Sequence, residues 1–592
     1  MCGIFGYIGL KDPLKACISG LEQLEYRGYD STGIAGIAKG QIVFCKEIGK
    51  LNNLKQKLTL STLDLAIGHT RWATHGKVTQ ANAHPQFDLH QTIALVHNGI
   101  IENYDSIREE LQRKGTSFSS ETDTEVIAQL ISSHYQGDLV EAVQKTLPLL
   151  KGHFAIALIH KDHPDQIVAA ARECPLSVGY DDNCTEAIIS SDPNAFLGSA
   201  LNILFLRHDE IAKVQKGKIE IFDRHKKPIS KPSERLDGHF KAPSKEGFEH
   251  FMLKEIYEQP STIQKAMLGR FDEDQVQFEG LSEEFREASH VWFIGCGTSA
   301  HAGLIGSLFL EDLAQIPARC EIASEARFRI IPPKTLVVAI SQSGETADTI
   351  SAVREIKARG LKVLGICNVK NSTLTRETDG CIFLKAGPEI SVCSTKAFTS
   401  QITVLYLFAL YMAKKGNLKE LQKIPAQIQQ VIEQAPLIQK IAKKYSHFND
   451  FFFMGRRYMF PTCMEAALKL KEISYVNANG YPAGELKHGP IALIDNNFPV
   501  IAFCANHKTE DKILSNLQEV KARGAPILAF APIGMKTVST IADDVIWLPS
   551  TTDELSPFAS IVAGQLLAYY IAKERGCDID QPRNLAKSVT VE

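Results

Sequence analysis

The sequence predicts an α+β half of layered sheets followed by two copies of a doubly wound α/β domain. Three observations carry this. Before about residue 223, short strands of alternating polarity are interspersed with amphipathic helices. After residue 250, apolar strands alternate with long helices, the pattern of a parallel sheet. That second texture occurs twice, at offsets of 160 to 164 residues. Between the two halves, 223–250 is rich in Lys, Ser, Pro and Gly, with Pro228, Pro232 and Pro243 breaking periodicity, and reads as a linker.

The first helix is well marked. Asp12 suits its N-cap and Pro13 its first turn, Leu14, Cys17, Ile18 and Leu21 keep helical spacing, and Gly28 lies just past the end. Strands follow at 92–96 and 153–159. In the second half, strand 291–294 ending in Gly295 matches 451–454 ending in Gly455. Strand 336–340, a helix ending in Lys-Ala-Arg-Gly (357–360) and strand 362–366 are answered by 500–503, a helix ending in Lys-Ala-Arg-Gly (521–524) and 527–530. The shared order of elements argues for duplication more strongly than the four-residue match.

Composition removes several classes of function. The 592 residues suggest three or four domains at roughly 150 residues each. A formal charge of −3 leaves no basic excess for a phosphate backbone, so no nucleic-acid partner is expected. The longest nearly apolar runs, 402–413 and 561–572, fall short of the ~20 residues that span a bilayer, and the N-terminus lacks a signal peptide's basic and apolar regions. No membrane association is expected. The thirteen cysteines include no Cys-x-x-Cys pair and no zinc-ligand spacing, so the expectation is a reducing cytoplasm, inert thiols and no metal. Cys2 is the exception, because so small a second residue allows the initiator Met to be removed.

In the second half, Gly295-Cys-Gly-Thr-Ser-Ala300 follows a strand and opens a helix. It satisfies a loose dinucleotide fingerprint, with Glu321 as a possible ribose-binding acid, which keeps a nicotinamide-dependent oxidoreductase open. Ser341-Gln-Ser-Gly-Glu-Thr-Ala347 is similarly placed. Hydroxyls of Thr298, Ser299, Ser341, Ser343 and Thr346 near unpaired helix amides suit a phosphate monoester, although such residues also simply cap helices. Lys469 and Glu472 share a helix face and could shuttle a proton beside a carbonyl. The spacing alone favours a solvated Glu465–Lys469 pair. Gly484-Glu-Leu-Lys-His-Gly-Pro490 presents His488 on a glycine–proline frame, and Lys587 near the C-terminus would be a Schiff-base nucleophile only if burial lowered its pKa.

In the first half, removal of Met1 would give Cys2 a free α-amine able to act as base for its own thiol. His97-Asn-Gly follows a strand. Asn98 and Gly99 could supply two oxyanion donors, while the spacing by itself reads as a hairpin turn. Arg71 and Asp123 could clamp an amino acid's carboxylate and ammonium, or belong to surface ion pairs.

Together these stretches resemble the glutamine–fructose-6-phosphate aminotransferase (isomerizing), or glucosamine-6-phosphate synthase, family. The matching segments include Cys2-Gly-Ile, Glu25-Tyr-Arg-Gly-Tyr-Asp-Ser31, His69-Thr-Arg-Trp-Ala-Thr-His-Gly76, Asn82-Ala-His-Pro85 and His97-Asn-Gly-Ile-Ile-Glu-Asn103. Later ones are Cys296-Gly-Thr-Ser299, Ser341 through Thr349, Ser394-Thr-Lys-Ala-Phe398, Glu485-Leu-Lys-His-Gly-Pro490 and the tail 580–592, so the resemblance spans the chain. It implies an N-terminal-nucleophile glutaminase sandwich (2–238) and two sugar isomerase domains (239–435 and 436–592 with the tail), forming a homodimer in the cytoplasm without a cofactor. The implied reaction converts fructose 6-phosphate and L-glutamine to glucosamine 6-phosphate and glutamate, the first step of UDP-N-acetylglucosamine synthesis.

By that resemblance Cys2 is the nucleophile, oriented by Arg27, with Asn98 and Gly99 as oxyanion hole. Arg71, Thr74, His75 and Asp123 hold glutamine, and Trp72 gates an ammonia channel. Thr298, Ser299, Ser341, Gln342, Ser343 and Thr346 bind the sugar phosphate, with Ser394 and Lys469 nearby. Glu472 moves the proton between C1 and C2, His488 assists ring opening, and Lys587 forms the imine. Ala300 departs from the family's usual aromatic residue. Two further readings, a non-catalytic sugar-phosphate sensor and an amidotransferase with a phosphoribosyl acceptor, stand against it. The first lacks a helix-turn-helix segment and leaves the N-terminal half unexplained; the second does not account for the duplicated hydroxyl loops.

Overall fold

The computed structural model describes residues 2–196, 202–235, 244–271, 275–415 and 418–590. The chain forms two compact units, one of residues 1–243 with 586–592, the other of 244–585. The junction at 238/239 expected from sequence lies outside the described residues, as does 236–243 of the linker.

In the first unit an eight-stranded and a seven-stranded antiparallel sheet pack face to face. Strand alternation builds the layers. In Gly3–Ile8, Ile4 and Ile8 enter the core between the sheets, while Phe5 and Tyr7 point outward. In Ile93–Gly99, Ala94 and Val96 face inward and Ile93 and Leu95 outward. Helix Pro13–Leu24 covers the outer face of the larger sheet with Leu14, Cys17, Leu21 and Leu24. Helices Asp123–His134 and Leu139–Thr146 cover the other. The result is a four-layer sandwich.

The Asp12 cap forms as expected, its Oδ1 accepting the N–H groups of Leu14 (3.0 Å) and Lys15 (3.3 Å). After Leu24 the helix tightens into the 3-10 turn Glu25–Arg27, and Gly28 ends it. One expectation fails. His97-Asn-Gly is not a hairpin turn but the last part of strand Ile93–Gly99, in register with Phe154–His160 through Gly99 opposite Phe154. Asn-Gly mimics a turn locally, and the cross-strand ladder overrides it.

The second unit holds two parallel sheets of five strands. In the first, strand Ala318–Ile322 lies outside His290–Gly295, followed by Thr335–Ser341, Val363–Cys367 and Gly380–Phe383. In the second, Asn477–Pro482 lies outside Asp450–Gly455, then Val500–Phe503, Ile527–Pro532 and Asp544–Leu548. The identical order, 2-1-3-4-5, bears out the duplication read from sequence. One apolar cluster runs through both copies. The apolar runs 402–413 and 561–572 lie in helices Lys396–Ala413 and Ser556–Glu574, almost wholly buried in that core. Among the described residues no helix is long and apolar enough to cross a membrane.

Gly20 shows how closely helix and sheet approach, because a Cβ there would lie 2.2 Å from the Phe5 ring. Alanine would gain about 1 kcal/mol of helix propensity. Overpacking costs typically ~1–3 kcal/mol and wins. Gly20→Ala is therefore expected to lower the thermal transition of the first unit, measured by scanning calorimetry; an unchanged or raised transition would contradict this packing.

Candidate functional site

Two clusters of chemistry-bearing residues emerge, one in each unit. In the first, antiparallel pairing of Gly3 with Thr70 sets Cys2 beside the end of strand Leu65–Arg71. The Cys2 Sγ accepts the Trp72 N–H at 3.2 Å. Burial pushes this thiol up, opposed by the positive N-terminus, the Trp72 N–H and Arg71. The Asn98 side-chain amide donates to the Cys2 carbonyl at 3.0 Å.

Asn98 is aimed by histidines that sequence reasoning did not single out. His69 Nε2 lies 3.1 Å from Asn98 Oδ1 and 2.9 Å from the His97 carbonyl. Two oxygens facing one nitrogen require it to carry the proton. The Asn98 oxygen is thereby held toward His69 and its NH2 toward Cys2. His84 Nδ1 lies 3.1 Å from the same nitrogen. Burial pushes His69 down to about 3, and His84 well below its ordinary value, so both are neutral. Gly99 has φ +120°, and a Cβ there would sit 2.0 Å from the His153 carbonyl.

Arg27 is buried against Asp192, which also accepts the Tyr26 hydroxyl. Arg71, also buried, donates to the carbonyls of His75, Gly76 (3.3 Å) and Lys77 (3.4 Å), folding 72–77 around its guanidinium. Asp30 supports that segment by accepting the Ala73 N–H at 2.8 Å. Asp123 opens helix Asp123–His134, where a carboxylate is favoured by the helix dipole, and accepts the Ile101 N–H at 2.9 Å. Neither Arg71 nor Asp123 is a surface ion-pair member. Thr74 is exposed, and His75 packs edge-on against Tyr104. Gly76, Lys77, Tyr104 and Glu121 line an open cleft.

In the second unit, the loops after the first and third strands of the first sheet meet at its topological switch point. Ser341 Oγ accepts the Gly344 N–H (2.9 Å) and Ser343 Oγ the Glu345 N–H (3.2 Å). Ser299 Oγ accepts from Gln401 Nε2 at 2.9 Å. Acting as acceptors in these bonds, the Ser299 and Ser343 hydroxyls keep their protons to donate. Gln342 and Thr346 stand half-buried on the same loop, with Thr346 Oγ1 3.4 Å from Ser341 Oγ. The buried Ser394 hydroxyl has no protein partner. The equivalent loop of the second copy, Cys504-Ala-Asn-His-Lys-Thr509, lacks the Ser-x-Ser pattern.

The second copy instead contributes helix Met459–Ser474. The Lys469 ammonium contacts Glu472 Oε2 (2.9 Å) and Glu465 Oε1 (3.3 Å) and donates to Thr298 Oγ1 (2.9 Å). The solvated Glu465–Lys469 pair expected from spacing is corrected here, because both side chains are 0% exposed. The neighbouring helix supplies the cover, which spacing cannot reveal. Burial pushes Lys469 down, but Cys393, Glu465 and Glu472 outweigh it and the net shift is upward. The Cys393 thiol donates to Glu472 Oε2 at 3.0 Å. The Thr298 hydroxyl donates to Glu465 Oε1, so its proton is committed inside the protein. Glu321 is engaged by Arg319 and Arg329, tying up the acid that the dinucleotide reading needs. His488 is exposed at the end of the 3-10 turn Ala483–His488, and Lys587 lies in the tail segment belonging to the first unit.

Fold and site together define a two-part protein, an amidotransferase sandwich joined to duplicated phosphosugar-isomerase sheets. A glutamine amidotransferase domain family model matches residues 69–198, and the SIS domain model matches 284–411 and 444–574. The chain is 44% identical over 607 residues to the glutamine–fructose-6-phosphate aminotransferase [isomerizing] of Thermus thermophilus, with 100% of each chain covered. It is likewise 44% identical over 610 residues to that of Caldanaerobacter subterraneus, again with 100% coverage of each. A solved C-terminal domain of glucosamine-fructose-6-phosphate aminotransferase from Francisella tularensis covers 57% of this chain and 100% of its own, with 40% identity and TM-score 0.55. The chain belongs to the glutamine–fructose-6-phosphate aminotransferase (isomerizing) family.

The buried histidines carry a pH consequence. Unfolding lets His69 and His84 take up protons at their ordinary pKa near 6.5, so the unfolded state binds more protons below it. Their stabilising contribution is complete above pH ~6.5 and is lost as pH falls, for His69 down to about 3, by about 1.4 kcal/mol per unit for a single histidine. Between pH 6.5 and 5, before most carboxylates titrate, the transition temperature of the first unit should already fall. His84→Phe should flatten that slope; a slope identical to the native one would refute the assignment.

Proposed function

We propose that the chain converts D-fructose 6-phosphate and L-glutamine to D-glucosamine 6-phosphate and L-glutamate, by glutamine hydrolysis in the first unit and amination with isomerisation in the second. The observation that carries this reading is the presence in one chain of Cys2 under the Asn98 amide and of the Lys469–Glu472 pair beside hydroxyl-bearing loops. Full-length similarity to relatives named for this reaction supports it.

With Met1 removed, the Cys2 α-amine takes the thiol proton and the sulfur attacks the glutamine side-chain carbonyl. The Asn98 amide and the Gly99 N–H hold the resulting oxyanion. Collapse returns the proton to the departing ammonia, and water hydrolyses the thioester to glutamate. Arg71, Thr74, His75 and Asp123 hold glutamine, Arg27 orients the N-terminal segment, and Trp72 gates ammonia on its way to the sugar.

In the second unit Ser299, Ser341, Gln342, Ser343 and Thr346 hold the phosphate, with loop and helix amides supplying further donors. Ser394 reaches the sugar with its unpartnered hydroxyl. His488 assists ring opening and Lys587 forms an imine at C2, which ammonia displaces. Glu472 then carries the proton between C1 and C2, with Lys469 close by. The working form is a homodimer in the cytoplasm, without metal or cofactor.

Replacing Cys2 by Ala should cut glutamate release by at least ~10³-fold while conversion of fructose 6-phosphate to the aldose phosphate persists. Intact glutamine hydrolysis in that variant would sink the assignment. Glu472→Gln should do the reverse, lowering isomerisation by about 10²–10⁴-fold with glutaminase retained. Borohydride reduction with fructose 6-phosphate should label the peptide holding Lys587; label elsewhere removes it from the mechanism.

A further inference from the structure

Glu465 lies one helical turn before Lys469, and its carboxylate is fully buried. A buried carboxylate costs several kcal/mol unless it is paired and hydrogen-bonded. Here it accepts from the Thr298 hydroxyl on Oε1 (2.9 Å) and from His301 Nδ1 on Oε2 (2.7 Å), and faces the Lys469 ammonium at 3.3 Å. Thr298 and His301 stand one turn apart at the start of helix Thr298–Phe309, which opens from the first hydroxyl-bearing loop. Lys469 donates in turn to Thr298 Oγ1. A closed circuit results. The Thr298 hydroxyl gives its proton to Glu465 and receives one from Lys469, and Lys469 is held between two carboxylates.

The circuit joins the two copies of the α/β domain. Thr298 and His301 come from the first copy, beside Ser299; Glu465 and Lys469 share the helix that carries Glu472. On Glu472, both Lys469 and Cys393 meet Oε2. That leaves Oε1 for the proton transfer proposed above. A lysine ammonium on four rotatable bonds cannot fix that orientation by itself.

We infer that Glu465, steadied by His301, is a positioning residue for the isomerase reaction: it fixes the Lys469 ammonium against Thr298 and so registers the Glu472 carboxylate to the hydroxyl loop of the other copy. The inference rests on the function proposed above. Glu465 touches no reacting atom. Its negative charge also sets the titration of the site, in which Lys469 is faced by Glu465 and Glu472 from its own helix, by Cys393 from the segment before Lys396–Ala413, and through Glu465 by His301.

Glu465→Gln keeps the shape, and its side-chain oxygen can still accept from Thr298, but the charge opposite Lys469 is gone. Glu465 is one of the charges that hold the Lys469 ammonium above its ordinary value, so its loss lowers the pKa of Lys469. The limb of the isomerisation pH profile that reports Lys469 should therefore move to lower pH, by about one unit. Because a 1 Å misplacement can cost ~10²-fold, kcat should fall about 10- to 100-fold. KM for fructose 6-phosphate should stay within about threefold, since the phosphate hydroxyls are untouched. Glu465→Asp restores the charge on a shorter stem, so it should return the pH profile to its native position while kcat stays reduced. His301→Leu should lower kcat in the same direction by less, and with Glu465→Asp it carries the test if Glu465→Gln does not fold. Glutaminase activity in the same samples reports on folding of the rest of the chain. A Glu465→Gln enzyme with native kcat and pH limbs, or with only a lowered melting temperature, would overturn the inference. Retention of isomerisation in Glu472→Gln would instead overturn the functional reading beneath it.

Discussion

The second unit is organised around one buried ammonium. Lys469 has no exposed side-chain surface, and an unpaired charge in such a place is prohibitively costly. Its partners are therefore not optional. Glu465 and Glu472 must lie one turn to either side on the same helix, and Thr298 must arrive from the neighbouring helix with its hydroxyl committed. That requirement ties helix Met459–Ser474 of the second copy to the loop of the first. The second copy shares the fold and contributes a helix, while its own loop at 504–509 lacks the Ser-x-Ser pattern.

The first unit solves a different problem, the orientation of one amide. Its site is built where Gly3–Ile8 and Leu65–Arg71 end side by side, and where Ile93–Gly99 delivers Asn98 under the Cys2 carbonyl. An amide side chain can present oxygen or nitrogen, and the oxyanion role proposed for Asn98 needs nitrogen. The choice is made by His69, whose protonated Nε2 claims the oxygen. Burial keeps that imidazole neutral, so the orientation holds through the physiological pH range. Arg27 and Arg71 are likewise committed by Asp192 and by backbone carbonyls, which makes them parts of the frame before any substrate arrives.

Legibility in the sequence followed how local the interaction is. The Asp12–Pro13 helix start, the apolar strands of the second half and the repeated Lys-Ala-Arg-Gly helix ends depend on neighbours within a few positions, and were readable. The Asn98–Gly99 segment was not, because an Asn-Gly pair reads as a turn until a strand 55 residues away continues the ladder past it. Glu465 was misread for the same reason. Four-residue spacing to Lys469 is equally good on a wet or a dry helix face, and only Thr298 and His301, more than 160 positions distant, decide which. Thr298 itself read as a phosphate donor, whereas its proton already belongs to Glu465.

The sequence by itself determined the fold class, the duplication and the residue types for two chemistries, since periodicity, caps and short motifs are encoded within single elements. Tertiary structure decided which of those residues are buried, which hydroxyls keep a free proton and which way an amide points. Those properties are set by desolvation and by hydrogen-bond partners from other elements, and no window of sequence contains them.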